Sequence, residues 1–153
     1  MDEDLKLTIE LVPATSYYDN VRKIISERDW NQIRSRCYTQ SGFQCDVCYD
    51  NGIDQGRKQK VCCHEIWHYD DKTHTQRLVG FTSLCPLCHQ VKHAGLANLN
   101  NKIDQVISQL EEVNEMTKED AENYLVDCFA QHKYRSRFDW NVDVTYLYQF
   151  ISE

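Results

Sequence analysis

Leu5, Leu7, Ile9 and Leu11 alternate with polar residues up to Pro13, and a period of two predicts a short, half-buried strand. Val21, Ile24 and Ile25, then Trp30, Ile33 and Cys37, recur at helical spacing up to Gly42, which predicts two helices packed on the centre. Residues 61–69 are rich in β-branched and aromatic types, Asp70-Asp-Lys-Thr73 supplies a turn, and residues 76–84 form a second candidate strand. Together they predict a hairpin. Pro86 suits the first turn of a helix and Gly95 a stop, so a short helix is expected over 86–94. Downstream, Ile103, Val106, Ile107, Leu110 and Val113 step by three and four, the stripe of an amphipathic helix. Thr117-Lys-Glu-Asp120 resembles a capping box and opens a further helix through Tyr124, Leu125, Cys128 and Phe129. Trp140, Val142, Val144, Leu147 and Phe150 are expected to return to the core. The central order is strand, strand, helix, an α+β arrangement.

At 153 residues, 41% of them hydrophobic, the chain fits a single domain, 1–153, with extensions at either end. The strand and helices of 1–41 precede the central part, and an acidic helical extension, 96–153, follows it. The net charge of −7 argues against a large nonspecific nucleic-acid surface. Its distribution matters more, because residues 1–41, 42–95 and 96–153 carry charges of −1, 0 and −6. The neutral centre can engage phosphates through bound cations, and the acidic last third can face a protein partner. Arg22, Lys23, Arg28, Arg34 and Arg36 admit two readings, contact with a phosphate backbone or a solvated helix face. No apolar run approaches the roughly 20 residues that cross a bilayer, so no membrane association is expected. The start Met1-Asp-Glu-Asp-Leu-Lys lacks the basic opening and apolar run of a secretory leader, which points to a reducing, intracellular compartment, the cytoplasm.

That compartment changes the reading of the eight cysteines. In place of a disulfide framework, Cys45/Cys48 and Cys85/Cys88 form two Cys-x-x-Cys pairs, four thiolates for one closed tetrahedral zinc site. The 36 residues between Cys48 and Cys85 leave room for the strand pair. Cys37, Cys62 and Cys128 fall on apolar stripes or strands and read as core thiols.

His64-Glu-Ile-Trp-His68 matches the H-E-x-x-H string of zinc proteases, which requires a helix. Its surroundings favour a strand, where residues four apart lie roughly 13 Å from each other at about 3.3 Å per residue, so the protease reading is rejected. His89 and His93, four apart on the expected helix, point the same way with Cβ atoms about 5–6 Å apart and can converge on one cation. If the hairpin packs across that helix, His64 comes near the same point. His68, His74 and His132 have no partner at ligand spacing and read as surface or hairpin residues. Lys92 is a candidate phosphate contact or a solvated helix lysine.

Over roughly 30–95 the chain resembles the HNH endonuclease family. The resemblance rests on Trp30-x-x-Ile-Arg34, Gly42-Phe-Gln-Cys-x-x-Cys48, the strand with Cys63-His64-Glu65, and Leu84-Cys-x-x-Cys-His-x-x-Lys-His93. It implies a ββα-metal core stapled by a four-cysteine structural zinc, with flanking N- and C-terminal helices. It further implies a nuclease that nicks or cuts DNA by hydrolysing phosphodiester bonds. His64 would be the general base, and His89 and His93 would hold a catalytic divalent cation such as Mg, Mn, Ni or Zn. Small proteins of this family are frequent in phages and mobile elements, so the cytoplasm in question extends to that of a phage's host. Two positions depart from the family pattern. Cys63 stands where a hard metal ligand is common, although thiolate suits softer ions, and Gly80 aligns with the family's middle asparagine, for which Gln76 is a candidate substitute. The alternative is an HNH scaffold that has lost turnover and binds a nucleic acid or a protein partner.

Overall fold

The computed structural model describes residues 4–16 and 21–151, so Met1 to Glu3, the first residues of the opening read above for a secretory leader, lie outside the described residues. Helices α1 (Val21–Ile24) and α2 (Glu27–Ser41) form where helical spacing predicted them. Ser26 caps α2, its side chain accepting from the Asp29 N–H at 3.1 Å. Gly42 ends it at φ 66°, in the left-handed region that costs glycine no Cβ clash.

Strands β1 (Cys62–Asp70) and β2 (Thr75–Leu84) make the expected antiparallel hairpin. Asp70 closes its turn by accepting from the N–H groups of Lys72 and Thr73 at 2.9 and 3.2 Å. Ile66 faces Gly80 but Trp67 faces Leu78, which leaves Val79 as the extra residue of a bulge.

Three expectations need correction. Residues 5–13 form no strand and join no sheet. Side chains replace the missing ladder: Asn114 brackets Leu7, accepting from its N–H at 2.9 Å and donating to its carbonyl at 2.8 Å, and the Ile9 N–H reaches the Tyr124 hydroxyl at 3.0 Å. The period-two alternation survives, with Leu7 and Ile9 buried in the core while Thr8 and Glu10 meet Lys92 and β1. Secondly, α3 (Pro86–Lys92) breaks at His93, and α4 (Ala94–Leu99) follows at once, so Gly95 sits inside a helix and stops nothing. Thirdly, the last third is not wholly helical. After α5 (Ile103–Asn114) and α6 (Lys118–Arg135), strand β3 (Asn141–Asp143) lies parallel to β2, giving the sheet order β1-β2-β3, and a 3-10 helix (Thr145–Gln149) follows. The Arg135–Asp71 ion pair at 2.9 Å and His74 stacked on Phe138 at 4.3 Å hold this return against the hairpin turn.

The sheet separates two apolar clusters. Val21, Trp30, Ile33, Trp67, Leu78 and Leu147 pack between it and α1, α2 and the 3-10 helix. On the other side Leu7, Ile9, Leu84, Val91, Val106, Ile107 and Leu110 surround α3. Each large side chain buried there stabilises the fold by about 1.5–3 kcal/mol. Among the described residues, no helix is long and apolar enough to cross a membrane.

Candidate metal centres

The turn after α2 and the start of α3 bring Cys45, Cys48, Cys85 and Cys88 together, with all four Sγ atoms within 4.8 Å of one another. The Sγ atoms of Cys48 and Cys85 are 3.5 Å apart, close to the roughly 3.8 Å edge of a tetrahedron with 2.3 Å Zn–S bonds. The backbone N–H groups of Val47 and Cys48 point at Cys45 Sγ, that of Cys88 at Cys85 Sγ, and the Gln109 amide at Cys88 Sγ, at 3.3 to 3.5 Å. Donors aimed at sulfur favour thiolate. Hydrogen bonds from Cys85 and Cys88 hold Cys45 far below the ordinary thiol range, whereas burial pushes Cys48 up to about 12. The donor set, its distances and its burial fit a metal ion and are compatible with structural zinc. None of the eight cysteines is in a disulfide.

The knuckle is tied to the sheet. Asp46 donates its N–H to the Ser83 carbonyl at 2.8 Å, and its carboxylate accepts from the Ser83 N–H and the Thr82 hydroxyl, each at 2.8 Å. Cys85 is also the N-cap of α3, its sulfur accepting from Cys88 N–H, so one residue both caps the helix and offers a ligand atom. His89 is the next residue after Cys88. The four-cysteine cluster therefore fixes the helix that carries the second centre.

That second centre joins His64 of β1 to His89 and His93 of α3 and its end, with one ring nitrogen of each within 4.8 Å of the others. The His64 ring lies 5.4 Å from each of the other two, centre to centre, and the Nε2 atoms of His89 and His93 are 3.1 Å apart. Two nitrogens about 2.1 Å from one ion would be separated by roughly 3.0 Å in octahedral and 3.4 Å in tetrahedral geometry, so the spacing fits a shared cation. Burial, with the nearby histidines and Arg22, pushes His89 down to about 3. Burial likewise lowers His93. Both rings are neutral at pH 7, with lone pairs available to a metal.

Glu10 and Lys92 complete the surroundings, and neither role was drawn from the sequence. Glu10 Oε2 lies 2.9 Å from His64 Nε2, and Glu10 Oε1 lies 3.4 Å from Lys92 Nζ. Lys92 is buried and also donates to Thr8 Oγ1 at 2.7 Å, which corrects its reading as a phosphate contact or solvated lysine. Burial raises the Glu10 carboxyl, but His64 and Lys92 outweigh it and hold the group below its ordinary 4.5. The polar face of the 5–11 alternation was the available signal.

Other candidates lie elsewhere. Cys63 meets Cys37 of α2, whose thiol it lowers to about 7 by a hydrogen bond, while that pairing and burial push Cys63 itself up. Cys63 is outside the three-histidine group. Glu65 accepts from the Val21 N–H at 2.9 Å. His64 and His68 both lie on β1, as the rejection of the protease string requires. Gln76 is fully buried and accepts from Ser16 Oγ at 2.7 Å, so it braces the N-terminal segment and not His64. No protein-family model, curated protein or solved structure matches the chain.

Proposed function

We propose that the chain is a metal-dependent DNA endonuclease of the HNH type, with a four-cysteine structural zinc. The observation that carries this reading is the convergence of His64, His89 and His93 where the hairpin meets α3. Held as a carboxylate, Glu10 can only accept, so the proton of the 2.9 Å contact sits on His64 Nε2 and the lone pair on Nδ1. That nitrogen takes a proton from water as the water oxygen bonds to phosphorus and the P–O ester bond breaks, and the leaving oxygen takes a proton from solvent. A divalent cation such as Mg, Mn, Ni or Zn held by His89 and His93 would supply electrostatic stabilisation of the charge developing on the phosphate and leaving oxygen. Glu10 supplies the orientation of the His64 ring.

The 4.8 Å grouping also favours a second reading, in which His64 is a third ligand and the scaffold binds DNA or a protein partner without turnover. Cleavage of supercoiled and linear DNA by zinc-loaded protein, with each of the four metals and alongside His64→Ala, decides between them. Under the first reading His64→Ala loses at least about 100-fold in rate and keeps its metal affinity. No cleavage by the parent, with metal affinity lost in His64→Ala, establishes the second.

A further inference from the structure

His89 and His93 form the wall shared by two cavities. One, of about 600 Å³, holds His64, Glu10 and Arg22 over the outer strand β1. The other, of about 510 Å³, runs beneath the loop before β1 to the far end of α4. Its charged lining is Arg57, Lys58 and Lys102, all exposed, and no carboxylate lines it. In a chain of net charge −7 such a run of cations is a local departure from the whole. On the first side the two carboxylates are engaged, Glu10 with His64 and Lys92 and Glu65 with the Val21 N–H. Arg22, whose guanidinium lies 5.3 Å from the Trp30 ring centre, remains as the cation of that wall. A larger groove of about 1030 Å³ on the outer face of α2 carries Arg28 and Arg36 but reaches neither metal centre.

We infer that the two cavities form one trough that carries the phosphate backbone of DNA past the three-histidine centre, with Arg57, Lys58 and Lys102 holding the phosphates on one side and Arg22 on the other. The inference rests on the proposed nuclease reading and adds the path of its substrate. Guanidinium and ammonium groups spaced along a groove neutralise successive phosphates and release their counterions, so binding falls with salt in proportion to the contacts made. The cations come from α1, from the loop after the first cysteine pair and from the entry to α5. None of these belongs to the hairpin and helix that carry the histidines.

The test measures duplex binding by fluorescence anisotropy across a sodium chloride series, using zinc-loaded His64→Ala so that cleavage does not interfere. The Arg57→Gln/Lys58→Gln/Lys102→Gln variant is expected to lower the slope of log K against log salt by about 2–3, at roughly 0.9 per phosphate contact. A charge-matched control, Lys72→Gln/Lys118→Gln/Lys133→Gln, is expected to leave it unchanged. Equal slopes in the two triple variants, or no binding at low salt, overturn the trough. Cleavage by the parent together with equal slopes removes the trough alone, whereas a lowered slope without parental cleavage removes the catalytic reading and leaves the trough standing.

Discussion

Replacing Glu10 by glutamine tests the proposed base more sharply than removing the base itself. In the native site the carboxylate accepts from His64 Nε2 at 2.9 Å with one oxygen and from Lys92 at 3.4 Å with the other. Lysine offers only donors, so a glutamine at position 10 must turn its single oxygen to Lys92 and its amide nitrogen to His64. The amide then donates to Nε2, the ring proton moves to Nδ1, and the lone pair that takes the proton from water is gone. In serine proteases a carboxylate-to-amide exchange behind the histidine costs about 10⁴ in turnover. In this more open site at least about 100-fold is expected in single-turnover cleavage. Glu10→Ala lets water meet Nε2 and leaves Nδ1 free to act, so it should be the faster variant. It should also be the less stable, because Lys92 loses its carboxylate in a buried position, which costs about 1–3 kcal/mol. Rate and stability are therefore expected to rank the two variants in opposite orders. Nitrogen-15 spectra of the histidine rings read the tautomer directly, with the Nε2–H form expected in the native protein. A native-like rate in folded Glu10→Gln, or an Nδ1–H tautomer in the native protein, refutes the assignment.

Cys88→Ser should lower bound zinc by one equivalent per chain and abolish the cooperative thermal transition, measured by metal analysis and calorimetry, since structural zinc supplies folding free energy. Gly52→Ala should destabilise by roughly 2–3 kcal/mol in urea titration, because a Cβ there would lie 1.7 Å from the Gln59 carbonyl oxygen; an unchanged midpoint would show the loop free to move aside. His89 is held near 3 when folded against an ordinary 6.5, so between those values the unfolded chain binds the extra proton and stability rises with pH. Lowering the pH from 7.5 to 5.5 should therefore cost about 1 kcal/mol through this ring, and His89→Gln should lose less than the native protein over the same interval.

What was legible in the sequence depended on whether local pattern or tertiary partner decided the outcome. The hairpin, α2, α5 and α6 follow from periodicity and caps close to home, such as Thr117 accepting from the Asp120 N–H at 3.1 Å. The cysteine pairs were legible because ligand spacing is itself a local signal. The segment carrying Leu7 and Ile9 shows the boundary. Its alternation correctly separates a buried face from a polar one, yet whether it enters a sheet depends on Asn114 and Tyr124, more than 100 residues away. β3 escaped notice for the same reason, its three residues being too short to announce a pairing with β2. Helix α3 ended early because His93 leaves helical geometry at φ −104° and ψ 46°, and Gly95 overrode its own reputation as a breaker.

The same boundary explains why Glu10 was missed while the histidines were not. His89 and His93 meet by helical repeat alone, whereas Glu10 reaches His64 only after the N-terminal segment has docked on α5 and α6. Three separate stretches of chain must therefore come together before the site exists: the hairpin brings His64, the cysteine cluster fixes α3 with its two histidines, and the docked segment brings Glu10. The cluster lies upstream of the other two contacts, since Asp46 binds the knuckle to the end of β2 and Cys85 caps α3. Loss of a metal from the cysteine cluster should then uncouple His64 from His89 even though the three-histidine group contains no cysteine. Loss of the docked segment should cost stability through Leu7, Ile9 and the partner of Lys92, yet it removes no cysteine or histidine of either centre and, at the second centre, takes away the orientation of His64. A chain shortened to begin after Glu10 separates the two dependencies. On this argument it keeps its zinc and its affinity for a second cation while its cleavage rate falls with that of Glu10→Ala.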